Sequence, residues 1–172
     1  VNHHGPHNLA AACARSGAAL IHVSTDYVFD GTKHELYVET DPVAPINAYG
    51  RSKLMGEQLL MKSGCRYLLA RTSWLYAPWG KNFVRTIAGL AGQRDSLKVV
   101  HDQRGRPTSS EHLAGATWSL VERGATGVYH VTDGGQCTWH EFACEVVRQT
   151  NPRCRVEPCT TAEFPRPAKR PA

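Results

Sequence analysis

Two short apolar runs, AALIHVS (residues 18–24) and RYLLART (66–72), stand either side of a long amphipathic segment, AYGRSKLMGEQLLMK (48–62). Both runs are rich in β-formers and read as buried strands, while Leu54, Gln58, Leu59 and Met61 repeat at helical spacing. The same alternation continues to the end of the chain. It is the signature of βαβ units, so we expect an α/β fold with a Rossmann-like, doubly wound parallel sheet and helices on both faces.

Local signals place the other elements. Residues 2–16 read as a helix stopped by Gly17, and Gly64 stops the helix that begins at residue 48. Residues 30–47, with Asp, Gly and two prolines, read as loop. Helices are expected over 82–92, with Asn82 as N-cap, and over 110–124. A third is expected over 138–150, where Thr138 and Glu141 have capping-box spacing. Strands are expected at 97–102 and 127–135, the latter ending in a glycine turn.

Composition narrows the function classes. Hydrophobic residues make up 41% and charged residues 20%, which is a globular balance. No apolar run approaches the roughly 18–20 residues that span a bilayer, and no signal peptide is visible. The net charge of +5 comes from dispersed Arg and from the Arg166, Lys169 and Arg170 cluster, without interleaved aromatics. We therefore expect neither a nucleic-acid nor a membrane partner, and a small anionic substrate fits. The six cysteines form no CxxC pair and no zinc spacing with histidine, so a reducing cytoplasm and no metal ligands are expected. His3, His4 and His7 read as solvated, and His140–Glu141 is not HExxH. The chain lacks an initiator Met, opens within a helical segment and stops at RPAKRPA, so we expect a fragment at both ends.

Three segments carry the chemistry. VSTDYVFDG (23–31) puts Thr25 at the end of a buried strand, where open α/β sheets bind ligands. AYGRSK (48–53) puts Tyr49 and Lys53 one helical turn apart. RTSWLYA (71–77) brings Arg71, Thr72, Ser73, Trp74 and Tyr76 to the end of a second buried strand. A phenol ordinarily titrates near 10, too high for efficient proton exchange at neutral pH, and a nearby lysine cation favours the phenolate. With VNHHGPHNLA (1–10), PINAYGRSKLMGE (45–57), DQRGRPT (102–108), GVYHVTDGG (127–135), TWHEFA (138–143) and FPRPAKRP (164–171), these segments run in order along nearly the whole chain. In them the chain resembles the extended short-chain dehydrogenase/reductases, and within these the dTDP-4-dehydrorhamnose reductases.

The resemblance implies reduction of the 4-keto group of dTDP-4-dehydro-L-rhamnose to dTDP-L-rhamnose, with NADPH or NADH. Tyr49 would be the proton donor, Lys53 its charge partner and a ligand of the cofactor ribose, and Thr25 a hydrogen-bond partner of the ketone oxygen. Asp26 and Trp74 match sugar contacts and Tyr27, adjacent to Asp26, would join them, while Arg104 would be a candidate for the nucleotide or its pyrophosphate and Asn82 a second. Residues 1–73 would be the later part of a nucleotide-binding core, and 74–172 mixed core and substrate-binding segments. The resemblance allows a homodimer, and a Mg²⁺ ion bridging subunits, as in some relatives. No GxGxxG occurs, so we expect the phosphate-binding half upstream and weak or no NADPH binding by the chain alone. Another nucleotide-sugar reductase or epimerase, and a non-catalytic subunit like the methionine adenosyltransferase beta subunit, are the alternatives, and Trp74 in RTSW argues against both. On the residues alone, Thr25 also fits a strand end bonded to its own backbone, Asp26 a turn former, and Trp74 core packing.

Overall fold

A computed structural model describes residues 1–165, 168, 170 and 171 of the chain. Arg166, Pro167 and Lys169 of the basic FPRPAKRP end lie outside the described residues. The elements in chain order are α1 (His4–Ser16), β1 (Ala19–Thr25), a 3₁₀ turn (Asp26–Val28), α2 (Ala48–Met61), β2 (Arg66–Thr72), β3 (Leu75–Tyr76) and α3 (Phe83–Ala91). There follow β4 (Ser96–Val100), β5 (Arg104–Gly105), β6 (Thr108–Ser109), α4 (Ser110–Glu122), β7 (Gly127–His130), β8 (Cys137–Thr138), α5 (Trp139–Thr150) and β9 (Arg155–Cys159).

The chain divides into two compact units. The first comprises Val1–Thr72, Ala114–Val131 and Ala168–Pro171. Its sheet has the order β1-β2-β7, parallel throughout, with Thr25 level with Thr72 and Arg71 level with His130. Ala10, Leu60, Cys65 and Leu69 form the buried centre, so α1, α2 and β2 each contribute an apolar side chain. Gly17 closes α1 in the left-handed conformation (φ 74°), which costs glycine nothing. Gly56 lets the start of α1 approach α2, because a Cβ there would overlap the Asn2 carbonyl oxygen just before α1 and crowd Pro6 within it.

The second unit comprises Ser73–Leu113 and Thr132–Pro167. Its core gathers Ile87 and Ala91 of α3, Leu97 and Val99 of β4, and Ala143, Val146 and Val147 of α5. β4 does not join the three-stranded sheet. It pairs in parallel with β9, which the sequence reading leaves unassigned. Pro158 makes RVEPC a poor strand by composition, yet β9 tolerates it as half of a two-stranded pair with a free edge. The two-residue pairs β3–β6 (parallel) and β5–β8 (antiparallel) are also absent from that reading.

Candidate active site

In the first unit, β1 ends at Thr25 with an extended backbone. Thr25 Oγ1 accepts the Tyr27 N–H at 3.2 Å and donates to Asp26 Oδ1 at 3.0 Å. The strand-end hydroxyl thus caps the 3₁₀ turn that carries Asp26 and Tyr27. Burial pushes the Asp26 carboxyl up to about 6, against the Thr25 hydrogen bond and the backbone N–H bonds that favour its charged form. Burial also raises the Tyr27 phenol, opposed by the charge of Arg170.

The buried Asn47 side chain caps α2, its Oδ1 accepting the Gly50 N–H at 2.8 Å. That cap sets where the helix begins and so puts Tyr49 in the first turn and Lys53 in the second. Gly50 admits the 3₁₀ turn against α2, because a Cβ there would overlap the Tyr27 carbonyl oxygen. Tyr49 is 48% exposed, and its ring meets the Tyr27 ring edge-on, with centroids 5.6 Å apart. Lys53 Nζ donates to the Val23 carbonyl of β1 at 2.7 Å. Burial lowers the Lys53 pKa, and the negative charge of Glu57 works the other way. Five of the predicted site residues, Thr25, Asp26, Tyr27, Tyr49 and Lys53, therefore lie on one strand end, the turn after it and one helix.

Glu57, which the sequence-based reading does not name, and Arg71, which it places at the strand end without a role, lie in the same unit. Glu57, one turn beyond Lys53, is fully buried and takes both Nε and Nη2 of Arg71, the shortest contact being 2.8 Å. The Arg71 guanidinium carbon also lies 5.3 Å from the centroid of the Phe29 ring. A charge on the buried face of a helix and another inside an apolar strand were the available signal, since such charges persist inside a fold when paired.

Trp74, Asn82 and Arg104 belong to the second unit. Trp74 has φ 45°, the one positive φ outside glycine among the described residues, and stacks on Trp139 with centroids 3.5 Å apart and 8° between the planes. Gly105 lies against the same indole, where a Cβ would overlap the ring. Asn82 caps α3 by accepting the Arg85 N–H at 3.1 Å, and its amide donates to the Ala77 and Trp79 carbonyls. Arg104 is exposed on β5, opposite Thr138 of β8.

Ser24 Oγ and Thr72 Oγ1, at the carboxyl ends of β1 and β2, are buried without a hydrogen-bond partner among the described residues. An ammonium has three N–H donors, and the Val23 carbonyl takes one from Lys53. Polar capacity at these strand ends fits a hydroxylated ligand such as a ribose. Among the described residues, no group of three or more His, Cys, Asp or Glu side chains could hold a metal ion, and no helix is long and apolar enough to cross a membrane.

The chain is 44% identical to a dTDP-4-dehydrorhamnose reductase of Burkholderia thailandensis, over 95% of this chain and 61% of that protein. The crystal structure of a dTDP-4-dehydrorhamnose reductase from Clostridium acetobutylicum superposes with a TM-score of 0.97 at 47% identity, over 99% of this chain and 61% of that one. A Bacillus anthracis dTDP-4-dehydrorhamnose reductase in complex with NADP gives 0.96 at 42% identity, over the same shares. The chain thus spans about three fifths of the length of these relatives. The family model described as the RmlD substrate binding domain matches residues 1–172, and the chain belongs to that family.

Proposed function

We propose that the chain carries the proton-transfer side of an NAD(P)H-dependent reductase that converts the 4-keto group of dTDP-4-dehydro-L-rhamnose to the alcohol of dTDP-L-rhamnose. The observation that carries this reading is the placement of Tyr49 and Lys53 one turn apart on α2, with Lys53 tied to the strand whose end is Thr25. The names of the B. thailandensis, C. acetobutylicum and B. anthracis relatives support the substrate, and the NADP complex supports the cofactor.

The chemistry a reduced nicotinamide supplies when bound is a hydride for the carbonyl carbon. Tyr49 donates the proton that the oxygen then needs. Lys53 keeps a cation beside that transfer and offers N–H donors to a ribose diol. Thr25 donates to the ketone oxygen and stabilises the charge that develops there. Asp26 and Tyr27, adjoining Thr25, are the proposed sugar contacts in this unit. Trp74, Asn82 and Arg104 are the proposed substrate contacts in the other, although Trp74 presents one face to Trp139 and Asn82 spends its side chain on α3. The proposed partner is a dTDP-sugar. The proposed compartment is the cytoplasm, consistent with six free cysteines. A homodimer enters only through the family.

The test is a chimera in which this chain replaces the matching segment of the B. thailandensis relative. It should oxidise NADPH or NADH only when dTDP-4-dehydrorhamnose is present. Tyr49→Phe and Lys53→Met should each lower kcat by about 10²–10⁴-fold. Turnover with a different nucleotide sugar and none with this one would sink the assignment.

A further inference from the structure

We propose that Asp26 is a positioning residue that commits or releases the hydroxyl proton of Thr25, and with it the ability of Thr25 to donate to a bound carbonyl. The inference rests on the reductase reading for its catalytic consequence, but the coupling itself stands on geometry. A threonine hydroxyl has one proton and two lone pairs. At Thr25 one lone pair takes the Tyr27 N–H, and the proton points to Asp26 Oδ1. The backbone N–H cannot turn away, because it belongs to the 3₁₀ turn. An ionised carboxylate only accepts, so while Asp26 is charged the Thr25 proton is held inward. A neutral Asp26 is itself a donor. It can give its own proton to the second lone pair of Thr25, which turns the hydroxyl proton outward.

Burial places the Asp26 carboxyl where both states are populated near neutrality, at about 6. Among the described residues, the ionisable groups around the turn are Tyr27 on the turn itself, Tyr49 from α2 with its ring edge at Tyr27, and Arg170, whose charge acts on Tyr27. Burial raises the Asp26 carboxyl, and the Thr25 bond, which favours the ionised form, is the largest influence opposing it. Release of the Thr25 proton therefore follows protonation of Asp26 and increases as pH falls.

The test follows the Thr25 Cβ and methyl resonances and the Asp26 carboxyl carbon by NMR on the 172-residue chain. Thr25 is expected to titrate in step with Asp26, with a midpoint near 6, and Asp26→Asn should abolish the Thr25 titration. Thr25 signals that stay flat while Asp26 titrates overturn the inference, without need of any variant. In the chimera, the kcat of the parent should rise by about 25-fold between roughly pH 7.5 and pH 5.5, and that slope should vanish in Asp26→Asn. An unchanged slope in Asp26→Asn overturns the inference and leaves the reductase intact. No turnover at any pH, with Thr25 still titrating alongside Asp26, overturns the reductase reading and supports the coupling.

Discussion

Glu57 and Arg71 face each other across α2 and β2 as a bidentate ion pair, with 0% and 5% of their side chains exposed. Removing one partner leaves the other as an uncompensated buried charge. Glu57→Gln or Arg71→Met should therefore cost about 3–5 kcal/mol, whereas replacing both residues by Met should cost far less than the sum of the two. Urea denaturation of the three variants checks this. Additive losses would mean that the two charges do not stabilise one another.

The glycines of the helices separate by what surrounds them. A Cβ at Gly50 would overlap the Tyr27 carbonyl and one at Gly56 the Asn2 carbonyl, whereas Gly89, exposed in the last turn of α3, has open space around it. Alanine at 50 or 56 should destabilise by about 1–3 kcal/mol through overpacking. Alanine at 89 should stabilise by about 0.5–1 kcal/mol through helix propensity. Thermal melts of the three variants would show opposite signs.

Asp26 predicts the direction of a pH effect on stability. Its folded pKa is raised from 3.8 to about 6, so between these values the folded chain holds a proton that the unfolded chain releases. The unfolded state binds fewer protons there, and stability falls as pH rises. The contribution is full below about pH 4 and gone above about pH 6, a change on the order of 3 kcal/mol. Asp26→Asn should match the parent near pH 4 and exceed it near pH 7.5 in denaturant midpoint. A gap that is constant across pH would show that Asp26 does not titrate in this range.

Asn82 tests whether a family-matched polar residue acts through the fold. Its Oδ1 caps α3, and its amide donates to two carbonyls of the preceding loop. Asn82→Asp keeps the cap and loses both donors, while Asn82→Ala loses everything. The alanine variant should cost about 1–2 kcal/mol, and aspartate should recover part of that loss. Equal stability in all three forms would return Asn82 to a purely ligand-contacting role.

The sequence by itself determined whatever depends on neighbours along the chain. Gly17 ends α1, Asn82 opens α3, and Thr138 with Glu141 forms a complete capping box, all as their spacing predicts. The i, i+4 relation of Tyr49 and Lys53 is of the same kind, since it needs only a helix. The parallel alternation of β1 with β2 was readable because buried strands carry unbroken apolar runs. Tertiary structure alone decided contacts between residues far apart in the chain. It paired β9 with β4 despite Pro158, joined Glu57 to Arg71, and laid Trp139 on Trp74. No local pattern encodes such pairs, because their free energy comes from desolvation and packing that exist only once distant segments have met. Trp74 shows the limit most plainly. The family resemblance implies a sugar contact there, the residue alone also fits core packing, and the fold supplies an aromatic partner for one of its faces.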